Sequence, residues 1–180
     1  MWPCAEIPNL RAAASSQLFT AAAHLDGCGE GHVVLTPDAA TPQPPFYAMR
    51  LAYASHASRV VPVAPAANLS LGASWDGQGL IWLRAVNPIN ASVDLRVSVR
   101  TAAAAECVAS VRVLSSPLVG DAERYGREKG GWNGPDDPTF VTPTPPADVA
   151  CEVANGRATA LLRVPPLAFA VLRAGLSAEG

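Results

Sequence analysis

Long apolar runs are missing from this 180-residue chain. No stretch approaches the roughly 20 residues that a membrane-spanning helix needs, so no membrane partner is expected. The opening, Met1-Trp2-Pro3-Cys4-Ala5-Glu6, has neither a basic segment nor an apolar one after it, and does not read as a signal peptide. Blocks of like charge are missing as well. The 13 basic and 15 acidic side chains leave a net charge of −2, which argues against nucleic acid and anionic membrane surfaces as partners. No C-x-x-C occurs among Cys4, Cys28, Cys107 and Cys151, which argues against a zinc ribbon or a dithiol redox motif. Their wide separation suggests buried or free thiols; one disulfide is the alternative, with the pair left open. His24, His32 and His56 form no H-x-x-x-H pattern. No G-x-S-x-G marks a nucleophile elbow. Gly27-x-Gly29-x-Gly31 precedes an expected strand instead of opening a helix, the wrong order for a phosphate cradle. No metal or other cofactor is expected.

What remains is a globular composition, 49% apolar and 16% charged. Asn9 suits a helix N-cap, and Leu10, Ala14, Leu18, Ala21, Ala22 and Leu25 follow at helical spacing. His32 to Thr36 is a short β-branched run, the pattern of a buried strand. Pro37 to Pro45 holds four prolines and is expected to be a loop. The next helix is expected from Phe46 to about His56, with Phe46, Met49 and Tyr53 on one stripe, entered through Pro44-Pro45.

From Arg59 the period changes to two. Leu69, Leu71 and Ala73 alternate with small polar residues. Asp76-Gly77-Gln78-Gly79 turns the chain into Leu80–Val86, which predicts a hairpin. Asn87-Pro88-Ile89-Asn90 turns it again, and Val93, Leu95, Val97 and Val99 alternate with Asp94, Arg96 and Ser98, a strand with one wet face. Further strands are expected at 107–114, 149–153, 158–164 and 167–172, with Asn155-Gly156 as a tight turn and 120–146 as a long surface excursion. Many short strands at this spacing predict a β-sandwich or jelly roll. The expected division is 1–58, a helix–strand–helix piece, 59–175, the sandwich, and a 176–180 tail. One βα step followed by a β-domain is what a cut through the last unit of an α/β barrel would leave.

Few residues offer chemistry. Glu6 is the only acid upstream of the first helix and Glu30 lies in the glycine loop before the expected strand; neither sits at a strand's C-terminal end, where barrels place catalytic groups, and both read as solvated charge. Trp75, Trp82 and Trp132 could stack on sugar rings, but Trp82 in the core and Trp132 as a loop anchor is the plainer reading. Asn68-Leu69-Ser70 and Asn90-Ala91-Ser92 fit the N-glycosylation sequon.

The order of features resembles the C-terminal end of the family 51 α-L-arabinofuranosidases. Four stretches carry it. Ala14-Ser15-Ser16-Gln17-Leu18 is similar to the family's A-Q-L-V-N segment. Val34-Leu35-Thr36-Pro37, with Pro45-Phe46-Tyr47 after an insertion, resembles its last strand and T-P-x-Y-x-x-F helix. Asn133-x-Pro135-x-Asp137-Pro138-x-x-Val141-x-Pro143 resembles its N-x-P-x-x-P-x-x-V-x-P loop. Val164-Pro165-Pro166-Leu167-Ala168-Phe169-Ala170-Val171-Leu172 resembles its closing L-P-P-x-S-x-x-V-L strand. The chain departs from the family in the longer Asp38–Pro45 loop, in Ala168 for serine and in Thr20 for asparagine.

The resemblance implies a mainly β chain: a C-terminal jelly-roll sandwich behind a short α/β segment from the last unit of a (β/α)8 barrel. It implies a retaining glycosidase acting on arabinofuranosyl side chains of polysaccharides, bound through the barrel. It gives Gln17 a contact to arabinose. The family's catalytic glutamates lie upstream of the segment matched by Gln17, and this sequence has no N-E pair. No catalytic residue is carried over, and the chain alone is expected to be inactive. Helix faces left uncovered would favour self-association. The alternative is a non-catalytic carbohydrate-binding or structural sandwich from another barrel glycosidase.

Overall fold

The computed structural model describes residues 33–35, 40–66, 68–101, 104–117, 133 and 137–178. The helix expected from Asn9 lies outside these residues, and so do Gln17, Glu6, Glu30, His24, His32 and Trp132.

The described chain is mainly β, and every strand pair is antiparallel. β1 (Val33–Leu35) pairs with β2 (Ala40–Pro42), a strand inside the segment expected to be loop. The prolines hid it: Pro42 ends the strand at an edge, where a missing N–H costs no ladder bond. Helix α1 (Pro44–Ala54) follows directly. It starts two residues earlier than expected because Pro44 and Pro45 occupy its first turn, where the absent N–H groups have no helical partner to lose. The Gln43 carbonyl accepts from the N–H groups of Phe46 (2.9 Å) and Tyr47 (3.3 Å). At the other end Ser55 Oγ donates to the Leu51 carbonyl at 2.6 Å and closes the last turn.

The rest folds as two sheets. One has six strands in the order β3 (Arg59–Val61), β4 (Ser70–Trp75), β5 (Leu80–Asn87), β11 (Ala168–Ala178), β7 (Ala104–Leu114) and β8 (Ala147–Val149). The other has three, β6 (Val93–Arg100), β10 (Arg157–Val164) and β9 (Cys151–Ala154). Period-two alternation aims one face of each inward. Ala73, Leu83, Ala85, Ala109, Ala170, Leu172 and Ala174 from the larger sheet meet Leu95, Ala160, Leu162 and Val164 from the smaller. The inward set mixes small alanines with a few bulkier leucines.

The expected hairpins are present. Asp76 to Gly79 joins β4 to β5, and Asn155-Gly156, both with positive φ (50° and 69°), joins β9 to β10. That backbone twist matches paired strands and is why Asn-Gly suits the position. Gly79 sits at φ 116° against β11, where an added Cβ would collide with the Leu176 carbonyl.

α1 covers part of the larger sheet's outer face. Leu51 is buried with Leu114, Val141 and Val171, and Tyr47, Ala48, Trp82, Phe140 and Phe169 pack around them. This corrects the expected stripe. Tyr53 is 80% exposed, and the sheet-facing side runs through Tyr47, Ala48 and Leu51.

Two of the four cysteines correct the thiol reading. Cys107 on β7 and Cys151 on β9 form a disulfide, with Cα atoms 5.6 Å apart. β7 and β9 belong to different sheets, so the bond staples the sandwich where the chain crosses from β8 to β9 at Ala150.

Candidate functional site

The seam between α1 and the long loop is the most elaborate polar arrangement among the described residues. Gln43 and Asn133 are both buried. Gln43 Nε2 donates to the carbonyls of Asn133 (2.9 Å) and Thr41 (3.2 Å), and Gln43 Oε1 accepts from the Asn133 N–H at 3.1 Å. The Asn133 side chain repeats the device: Nδ2 donates to the carbonyls of Pro42 (2.8 Å) and Val141 (3.1 Å), and Oδ1 accepts from the Val141 N–H at 2.6 Å. Both amides have their donors and acceptors engaged, as buried polar groups must. Thr144 carries the loop onward along β7: its N–H donates to the Val113 carbonyl (2.8 Å) and its Oγ1 accepts from the Val113 N–H (2.9 Å).

Beside this seam is a cavity of about 400 Å³, lined by Pro44, Ala48, Pro88, Leu114, Val141 and Phe169 among others. A second, of about 520 Å³, opens between the sheets where β6 faces β4 and β5. Both have mostly apolar walls, and neither gathers acids.

The corner that brings β10 over to β11 is the Val164-Pro165-Pro166-Leu167 stretch. Asn87 Nδ2 reaches the carbonyls of Pro165 (2.7 Å), Ala91 (2.8 Å) and Val164 (3.3 Å) and holds it. Leu167 takes φ 45°, uncommon for a side chain of its size.

Among the described residues the acids form no constellation. Asp94 pairs across its ladder with Arg163, Glu152 with Thr159, Glu106 with Ser177 and Asp148 with Ser110, so no acid faces another acid across a ladder. Asp76 Oδ1 accepts from the N–H groups of Gln78 (2.7 Å) and Leu80 (3.0 Å). The Gln78 bond is the main cause holding its carboxyl below the ordinary value. Burial lowers the pKa of the Arg84 guanidinium on the larger sheet's outer face. No group of three or more His, Cys, Asp or Glu side chains that could hold a metal occurs among the described residues.

Of the described tryptophans, Trp75 and Trp82 both carry an arginine beside the ring. The Arg59 guanidinium lies 5.6 Å from the centre of the Trp75 ring. Trp82 is half-buried beside α1, and Arg173 stands 5.9 Å from its ring centre. Trp82 therefore packs on the outer face, not in the inner core.

One feature escaped the linear reading. On the outer face of the smaller sheet Arg96, Arg100, Arg157 and Arg163 are all exposed, and Arg100 and Arg157 are direct ladder partners. Their sequence separation kept them from registering as a charge block. Like charges placed opposite each other in a ladder are unfavourable; the Arg157 side chain donates from Nε to Ser98 Oγ at 3.0 Å.

The described residues define a two-sheet antiparallel β-sandwich that carries a helix on one outer face. No protein-family model matches the chain, and no curated protein matches it. Solved structures do. The chain has the fold of part of the family 51 α-L-arabinofuranosidases. Against an arabinose-bound enzyme of that family, MgGH51, the TM-score is 0.61 at 13% identity, covering 82% of this chain and 21% of that one. Against the α-L-arabinofuranosidase of Thermotoga maritima in complex with arabinose it is 0.57 at 16% identity, covering 79% and 31%. Against AbfB, a family 51 α-L-arabinofuranosidase of Bifidobacterium longum, it is 0.53 at 18% identity, covering 79% and 28%. The chain thus spans between about a fifth and a third of the length of these enzymes.

Proposed function

We propose that this chain is the C-terminal, β-sandwich part of an α-L-arabinofuranosidase-like glycoside hydrolase acting on arabinose-containing polysaccharides, inactive by itself. One observation carries the reading: the fold match covers 82% of this chain and only 21% of the enzyme matched. Hydrolysis with retention needs two carboxylates on either side of the scissile bond, one to attack the anomeric carbon and one to protonate the leaving oxygen and then activate water. No ladder in the described residues sets two acids across from each other. In this reading the pair comes from a barrel that packs near α1, and Gln17 contacts the arabinose. Tyr53 near the end of α1, 80% exposed, and Val60 on β3, 49% exposed, would be covered by it; uncovered, they promote self-association.

The test is hydrolysis of an aryl α-L-arabinofuranoside by the 180-residue chain and by the full natural polypeptide, whose length is read by mass and peptide mapping. Release by the full polypeptide and none by the chain is expected. Hydrolysis by the chain alone, or a natural polypeptide with no pair of glutamates in a barrel beyond these 180 residues, would overturn it.

A further inference from the structure

We propose that Asn68 and Asn90 are acceptors for N-linked glycan and that this chain matures in an oxidising secretory compartment. Two independent observations carry this: the placement of both sequons and the disulfide between the sheets.

Each sequon has the form Asn-x-Ser without proline at the middle position. Asn68 and Ser70 are both exposed, and so are Asn90, Ala91 and Ser92. Neither asparagine side chain has a hydrogen-bond partner among the described residues, so each Nδ2 is free to react. Asn68 sits in the turn closed by the Leu69 N–H donating to the Ala66 carbonyl at 3.3 Å. Its φ of 65° favours glycine or asparagine there whatever else the residue does. No such demand exists at Asn90, whose loop is held from beneath by Asn87, so the backbone does not account for that asparagine.

The ladder places the two together. Ser70 pairs with Val86, one residue before β5 ends. Asn68 and Asn90 therefore project from neighbouring loops at one end of the sandwich, away from the Asp76–Gly79 turn. Glycan there leaves the inner core untouched.

The Cys107–Cys151 bond places the chain in a compartment where disulfides persist, which is also where sequons are glycosylated. The donor is a lipid-pyrophosphate-linked oligosaccharide. The asparagine Nδ2 attacks its anomeric carbon, a C–N bond forms, the C–O bond to pyrophosphate breaks, and the amide gives up one proton as the lipid pyrophosphate leaves.

The experiment is intact-mass and peptide mapping of the full chain secreted from a eukaryotic cell, before and after a peptide-N-glycosidase, with the same mapping on protein from its natural source. The expected result is loss of two glycan masses, with aspartate appearing at 68 and 90. Ser70→Ala and Ser92→Ala should each remove one glycan while keeping the asparagine that the turn uses. Non-reducing mapping should recover Cys107 and Cys151 in one linked peptide. A secreted or natural protein with both asparagines unmodified overturns the proposal, whether or not the disulfide is present. Glycan that survives both serine substitutions also overturns it.

Discussion

The side chain of Gln43 pairs with the backbone of Asn133, 90 residues away, through one donated and one accepted hydrogen bond, as though it were a neighbouring strand. Asn133 then treats Val141 in the same way. Two amides in series thus tie the start of α1 to the far side of a long loop. Single removals should be felt strongly, because each one strands buried groups.

Asn133→Ala leaves the Val141 N–H and the carbonyls of Pro42 and Val141 without partners. The expected cost is about 3 kcal/mol in urea unfolding, from the penalty on unsatisfied buried groups. Asn133→Asp keeps the acceptor for Val141 but sets a carboxylate against two carbonyls, so its loss should exceed that of alanine near neutral pH and shrink in acid. Equal losses at both pH values would show that the amide does not work as described.

The disulfide closes a loop of 44 residues between Cys107 and Cys151. Chain-entropy reasoning gives it about 4 kcal/mol. Replacing both cysteines with serine should lower the melting temperature, and reductant should do the same to the parent protein. A reductant-insensitive melting curve would contradict the bond's role.

Gly79→Ala should be severe and Gly72→Ala mild. An alanine at 79 combines a left-handed backbone with a collision against the Leu176 carbonyl; backbone strain of this kind costs about 1–3 kcal/mol before the collision is counted. At 72 the nearest atom to an added Cβ is Arg84 Nη2, at 3.9 Å. Comparing the two variants by thermal unfolding tests the register of the β4–β5 turn against β11.

Asp76 gives a pH signature. Its carboxyl is held low by backbone N–H donors, first that of Gln78. A folded-state pKa below the unfolded one stabilises above the unfolded value, and this support fades as pH falls through the folded value. The gap in melting temperature between the parent and Asp76→Ala should therefore be open near neutrality and narrow in strong acid. A constant gap would mean that the charge plays no part.

Most of the sandwich was legible because its strands alternate strictly; Val93, Leu95, Val97 and Val99 announce their inward face, and Asn155-Gly156 announces its turn. β2 was not, because Pro42 and its neighbours look like loop to any local rule. The face of α1 differs from the expected stripe because Ala48 adds little to an apolar pattern, and packing against Leu114, Val141 and Val171 selects the Leu51 side. The Cys107–Cys151 pair requires knowing that β7 and β9 stack, which no spacing reveals. The arginine face was hidden for the same reason, its members lying on two strands 57 residues apart where Arg100 meets Arg157. The Asn133 loop was picked out by its pattern, but its function as a clamp depends on Gln43, which no motif flagged.

The position of β11 governs when this molecule can form. It lies between β5 and β7 and gives the core Ala170, Leu172 and Ala174. Until residues 168–178 have left the ribosome tunnel, β5 and β7 have no shared neighbour, and the larger sheet exists only as two halves with open edges. Assembly of the sandwich thus waits for β11. In that interval the unpaired edges of β5 and β7 are open to wrong pairing, and shortening β11 should abolish folding far more thoroughly than trimming any loop.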